Sequence, residues 1–179
     1  MVTMWGFSTE NFKRDSEEIS SLFGLFEKDL SAMLTKQDEL VRKNVKIRFL
    51  GKTERFPEKI TRMFARVEGL TRGNKKYTLN LLLGYGGRAE IVDAVNDLIK
   101  SGAKEADEKS LSGHMYTAGL PDPDLVIRTS GERRLSGFLP WQTVYSEIYF
   151  SEKLWPDFSR EDFSDALKFY EKTQRRFGK

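Results

Sequence analysis

Tyr77-Thr78-Leu79-Asn80-Leu81-Leu82-Leu83-Gly84-Tyr85-Gly86-Gly87-Arg88 is the stretch on which the fold turns. Its first part, Tyr77–Leu83, is a nearly continuous apolar run. Such a run suits a central strand of a parallel sheet, buried on both faces. The glycines after it predict a tight strand-to-helix turn, and a helix is expected from about Ala89 to Lys100. The Gly86-Gly87 pair has neither the spacing of a Walker A loop nor that of a dinucleotide-binding fingerprint, so a turn is the simpler reading.

The same alternation continues outward. Upstream, Val45–Leu50 reads as a strand. Pro57 opens a helix that keeps Ile60, Met63, Phe64, Val67 and Leu70 on one side. Before these, residues 2–7 are apolar and β-prone. Asp15 and Ser16 then offer an N-cap, with Glu17 and Glu18 in the first turn. The helix they begin carries Ile19, Leu22, Phe23, Phe26, Leu30, Met33, Leu34 and Val41 on one face, and is expected to run unbroken to Lys43-Asn44. Downstream, Pro121-Asp122-Pro123-Asp124 breaks regular structure. Leu125–Ile127 and Glu147–Phe150 read as strands. A tail helix is expected from about Ser159 to Arg175, with Phe163, Leu167 and Tyr170 as its face. Strands alternating with helices predict an α/β domain with a largely parallel central sheet flanked by helices, as one domain over residues 1–179.

Composition narrows the chemistry. With no Cys in 179 residues, thiolate metal sites and disulfides fall away, and the single His argues against a His-rich zinc centre or a Ser-His-Asp triad. Any metal would be held by carboxylates, which favours Mg²⁺. Lone His114 reads as structural. No apolar run is long enough to span a bilayer, and residues 1–7 do not read as a signal peptide. The reading is therefore a cytoplasmic chain. The net charge of +3 is mildly basic and suits an ordinary surface or an anionic ligand. A basic nucleic-acid-binding domain is the reading from another class. Against it, no nucleic-acid motif occurs and aromatics do not interleave with a basic stripe.

In open parallel sheets, ligands gather at the carboxyl ends of the strands. Ser8–Arg14, Gly84–Arg88 and Arg128–Ser136 fall there. They supply Arg14, Arg88, Arg128, Arg133 and Arg134. Guanidinium groups in such places suit a diphosphate, because each presents a fork of donors to phosphate oxygens.

These segments carry a resemblance. Phe7-Ser8-Thr9-Glu10-Asn11, Leu79-Asn80 through Tyr85-Gly86-Gly87-Arg88, and Leu120 through Glu132 resemble motifs of the cis-prenyltransferases, the undecaprenyl diphosphate synthase family. Arg134-Leu135-Ser136, Trp141-Gln142, Tyr145-Ser146-Glu147 and Leu154 through Phe158 continue the pattern in order. The resemblance implies condensation of isopentenyl diphosphate with an allylic diphosphate such as farnesyl diphosphate, with Mg²⁺, to give a polyprenyl diphosphate. It implies that Arg128, Arg134 and Ser136 hold the isopentenyl diphosphate, with Leu135 lining that site and Glu132 beside it. Glu147 would ligate Mg²⁺. Arg14 would contact the allylic diphosphate, and Ser8, Thr9, Glu10 and Phe12 would line the substrate site. Asn11 stands at the position proposed to assist proton removal. Arg176 and Gly178 resemble an element that reaches across a homodimer. The first long helix would help line a hydrophobic tunnel, with Leu22, Phe23, Phe26, Leu30, Met33 and Leu34 as its wall. Peripheral membrane contact would come through the lipid product.

The chain also departs from the family pattern. Phe12 stands where the family has Trp, Gly84 where Asn is common, and Pro140 at a usually apolar position. An Asp-Gly-Asn-x-x-Arg-Trp segment, which the family carries near its N-terminus, does not occur in these 179 residues. The expectation is therefore an N-terminally incomplete enzyme, with a non-catalytic partner subunit of the same fold as the alternative.

Overall fold

The computed structural model describes residues 1–173. Among these, the chain forms two compact units, residues 1–118 and the part from Gly119 onward. All strand pairing within each is parallel.

The first unit is built on β1 (Val2–Ser8), β2 (Val45–Leu50) and β3 (Tyr77–Tyr85), in the order β1-β3-β2. The apolar run is thus the central strand, as its composition predicts, and every residue from Leu82 to Tyr85 is buried. The connections are helical. α1 (Ser16–Thr35) and α2 (Gln37–Arg42) lead from β1 to β2, and α3 (Glu58–Thr71) leads from β2 to β3. α4 (Gly87–Lys100) and α5 (Glu108–Ser112) follow. The first long helix is not continuous. It breaks at Lys36, whose φ of −101° and ψ of 32° leave the helical region. Val41, placed on the apolar face by periodicity, lies beyond the break and is exposed.

The core of this unit gathers Phe7, Leu30, Ile47, Phe49, Phe56, Ile60, Phe64, Val67 and Leu83. α1 packs on α3, and α3 on β2. Of the six residues expected to wall a tunnel, Leu30 is buried in this core. Leu22, Phe23, Phe26, Met33 and Leu34 pack partly buried against it. The rings of Phe23 and Phe26 meet Phe56 at 5.4 and 5.8 Å, so that part of the helix face is filled by aromatic contact. A cavity of about 260 Å³ lies further along, lined by Ala32, Met33, Lys36, Glu39, Leu40 and Lys43.

β2 is an edge strand, and its outer N–H groups need acceptors. α3 supplies them: Ile47 N–H donates to Thr71 Oγ1 at 3.1 Å and Phe49 N–H to Glu68 Oε1 at 2.8 Å.

The second unit holds β4 (Leu125–Arg128), β5 (Glu147–Phe150) and α6 (Arg160–Lys172). A capping box starts α6, in which Ser159 and Asp162 satisfy each other's backbone N–H groups. The face predicted for this helix is corrected. Phe163 and Leu167 are exposed, whereas Ala166 is fully buried and Phe169 meets Tyr149 with ring centroids 5.5 Å apart. Tyr170, also on the predicted face, is half-buried, so the covered stripe runs through 166 and 170 rather than through 163 and 167.

Candidate functional site

Ser8 reaches its place through two compensating irregularities. Trp5 opposes Leu82, then Phe7 opposes Leu83, so Gly6 is an extra residue on β1. Ser8 in turn opposes Tyr85, so Gly84 is an extra residue on β3. The register is restored one step later, with Phe7 turned into the core and Ser8 set beside Tyr85. Gly84 adopts φ +62°, a left-handed conformation that favours glycine.

Past β1, the chain turns through a short 3₁₀ segment, Glu10–Lys13. Ser8 N–H donates to Asn11 Oδ1 at 2.7 Å, and Asn11 N–H donates to Ser8 Oγ at 3.2 Å. This reciprocal pair ties the two side chains to one compact turn. Thr9 N–H donates to Tyr85 C=O at 3.0 Å, which fastens the turn to the end of β3. Burial acts to raise the Glu10 carboxyl, but hydrogen bonds from its own backbone and from Thr9 and Ser8 outweigh it and hold the pKa below the ordinary value. Phe12 joins the aromatic cluster, 4.9 Å from Phe7 and 5.3 Å from Phe56. The Arg55 guanidinium lies over its ring at 4.0 Å. Arg14 is exposed and paired with Glu18.

At these strand ends opens a cleft of about 190 Å³, lined by Thr9, Glu10, Lys13, Lys52, Arg55 and Ala89. Lys52 and Arg55 escaped the sequence reading. Their signal was positional: both follow β2, as Thr9 follows β1, and strand ends on one edge of a parallel sheet converge. Lys52 Nζ lies 2.7 Å from Asp93 Oδ2, and the Tyr116 hydroxyl donates to the same carboxylate. Burial would raise the Asp93 carboxyl, but the bonds from Lys52 and Tyr116 and the Lys52 charge hold it below its ordinary range. Burial, together with the Asp93 carboxylate, pushes the Tyr116 phenol far up. Arg88, on the first turn of α4, is exposed. His114 holds Ser110 C=O through Nδ1 at 2.8 Å, in keeping with a structural role.

In the second unit, Arg128 ends β4 and its Nε is buried with no hydrogen-bond partner among the described residues. The loop after it is pinned to the chain beyond β5. Ser130 N–H donates to Lys153 C=O at 2.7 Å and Gly131 N–H to Ser151 C=O at 2.9 Å. Ser130, Gly131, Ser136 and Gly137 all have positive φ, so this is a loop of successive sharp turns. It carries Glu132, Arg134, Leu135 and Ser136. Arg134 is ion-paired with Glu132 and exposed, Leu135 is half-buried and Ser136 exposed. Arg133 lies 3.8 Å from Glu152.

Glu147 is not gathered with them by the strand register. It opens β5 opposite Leu125, while Arg128 opposes Phe150. Three residues of extended strand, about 10 Å, separate the two positions. Among the described residues no three acidic, His or Cys groups assemble that could hold a metal ion. A site with fewer than three such groups fits a cation that takes most of its oxygens from a ligand and water, as Mg²⁺ does, rather than one caged by protein. Arg176 and Gly178 lie outside the described residues.

A parallel α/β scaffold with arginine-bearing turns beyond its strand ends is an arrangement that suits phosphorylated ligands. The particular family is given by sequence. Residues 1–178 match the prenyltransferase family described as "Putative undecaprenyl diphosphate synthase". An isoprenyl transferase of Thermus thermophilus is 46% identical over 188 residues, covering 99% of this chain and 71% of the relative. The tritrans,polycis-undecaprenyl-diphosphate synthase (geranylgeranyl-diphosphate specific) of Thermoplasma volcanium is 41% identical over 185 residues, covering 100% of this chain and 71% of the relative. Among solved structures, lavandulyl diphosphate synthase from Lavandula x intermedia, in complex with dimethylallyl diphosphate, matches with a TM-score of 0.89 at 35% identity. That match covers 99% of this chain and 78% of the other. The chain belongs to the undecaprenyl diphosphate synthase family of prenyltransferases, as its motifs imply.

Proposed function

We propose that this chain serves cis-prenyl chain elongation, in which isopentenyl diphosphate is condensed with an allylic diphosphate to give a polyprenyl diphosphate. The observation that carries the reading is Arg128. A guanidinium nitrogen buried without a partner costs free energy unless a ligand supplies the missing acceptor. A diphosphate oxygen is such an acceptor, and the fork of an arginine matches two of them.

In this reading Arg128, Arg134 and Ser136 bind isopentenyl diphosphate, with Leu135 and Glu132 beside it. Arg134 then exchanges its pairing with Glu132 for the ligand. Ser8, Thr9, Glu10, Phe12 and Arg14 serve the allylic substrate. Asn11 is assigned to orient the proton lost in condensation through its amide oxygen, once its bond to Ser8 N–H is shared or released. Breaking the allylic C–O bond leaves a diphosphate with added negative charge, which fixed cationic groups stabilise as it grows. Mg²⁺ bound through Glu147 and the substrate phosphates would supply further stabilisation of that charge. Since Phe23 and Phe26 pack on Phe56, the part of the α1 face left to the growing chain is its Met33 end, which lines a cavity. Residues 1–179 are read as one family domain working as a homodimer in the cytoplasm, touching the membrane through its lipid product. No helix among the described residues is long and apolar enough to cross a membrane.

The test is equilibrium dialysis of radiolabelled isopentenyl diphosphate with Mg²⁺ against wild type and Arg128→Ala. Loss of a charge-assisted contact of about 1.5–3 kcal/mol raises Kd by roughly 10- to 150-fold. An unchanged Kd removes the diphosphate assignment.

A further inference from the structure

Glu90, on the first turn of α4, is a carboxylate with 0% exposure. Neither the reaction described above nor packing accounts for it, since an apolar side chain would fill the same space without the cost of burying a carboxylate. It accepts a hydrogen bond from the Tyr85 hydroxyl at 2.5 Å, and Thr117 Oγ1 stands at 3.5 Å. Tyr85 is itself fully buried at the end of β3. Its carbonyl accepts Thr9 N–H, its backbone opposes Ser8, and its ring meets Trp5 of β1 edge-on at 6.0 Å. The next residue, Gly86, leaves the space that the Thr9 side chain takes, since a Cβ there would run into Thr9 Oγ1, and Gly86 C=O accepts Glu90 N–H at 2.8 Å.

We propose that Glu90 and Tyr85 are positioning residues that together set the place of the Ser8–Asn11 turn. The carboxylate fixes the phenol, the fixed phenol holds its ring against Trp5, and the end of β3 so anchored holds Thr9 and the Ser8–Asn11 pair. A ring freed from Glu90 can shift against Trp5, and the turn hangs on the same strand end. The role in substrate handling rests on the reading that this turn serves the allylic diphosphate. The anchoring itself does not.

Amide hydrogen exchange by NMR on the full chain tests the couple, comparing wild type with Tyr85→Phe. Thr9 and Asn11 N–H are expected to exchange about tenfold faster in the variant, the effect of one lost buried hydrogen bond, while Ile47 and Phe49 N–H on the far edge of the sheet keep their rates. Acceleration shared equally by Ile47 and Phe49 means general destabilisation and overturns the proposal, as does unchanged exchange at Thr9 and Asn11. Glu90→Gln keeps an acceptor for the phenol and guards against a misfolded Tyr85→Phe. Retained protection at Thr9 and Asn11 supports the couple, and loss of protection across the whole sheet overturns it. Dialysis with farnesyl diphosphate separates the two readings. A rise in Kd of about tenfold in Tyr85→Phe, with isopentenyl diphosphate affinity unchanged, supports both. Absence of farnesyl diphosphate binding by wild type removes the allylic reading, and the exchange pattern then decides the couple alone.

Discussion

At the scale of single residues, two glycines in the Gly84–Arg88 turn are required for different reasons. Gly84 needs its left-handed φ of +62°. Gly86 has an extended φ of −150°, which any residue adopts, and is needed for space. A Cβ there would run into the Thr9 side chain. Gly86→Ala therefore either displaces Thr9 from its bond to Tyr85 or forces the strand end apart. A cost of about 1–3 kcal/mol is expected from such overpacking, read as a lower urea midpoint with unchanged slope. The motif itself was legible from residue identities. That Gly84 answers to conformation and to the nearby Lys52 C=O and Phe12, and Gly86 to a neighbour 77 positions away in sequence, was not, because periodicity carries no information about approach.

Among the elements, β2 and α3 show how an edge is closed within one layer. Thr71 is fully buried. Its hydroxyl donates to Val67 C=O at 2.9 Å while accepting Ile47 N–H. The sequence identifies α3 as amphipathic, yet a threonine at its end looks there like an ordinary polar residue. Thr71→Val keeps shape and removes the acceptor, leaving a buried backbone donor unsatisfied. The expected loss is about 1–3 kcal/mol in denaturant unfolding. Thr71→Ser, which keeps the hydroxyl, is expected to lose less. The break of α1 and α2 at Lys36 belongs to the same scale. Apolar spacing runs straight through it, so pattern alone extends one helix, while the register of the side chains against α3 and β2 is decided by packing.

For the molecule as a whole, the first unit is closed by the Lys52–Asp93–Tyr116 group, which ties the end of β2 to α4 and to the segment after α5. Because Asp93 is held below its ordinary pKa of 3.8 when folded, its contribution is fully present above that value and is lost as pH falls through the depressed one. Thermal unfolding followed from pH 7 to pH 2 is therefore expected to show a steeper acid loss in wild type than in Asp93→Asn. The variant is less stable at neutral pH, and the two curves approach each other in acid. Parallel curves would mean that Asp93 carries no differential charge interaction.

Order along the chain determined much of this protein. The apolar run at Tyr77–Leu83, the helix starts after Asp15 and Pro57, and the family motifs from Phe7 to Phe158 are local features, and local features are what sequence records. Parallel pairing and the family followed from them. The tertiary structure alone decided that Lys52 and Arg55 line a cleft with Thr9, that Phe23 and Phe26 pack on Phe56, and that a buried carboxylate at Glu90 holds Tyr85. It also separated Glu147 from Arg128 along the strands. Each of these is a meeting of side chains distant in sequence, set by strand register and helix packing, and neither charge nor hydrophobic period specifies which distant partner a side chain will find.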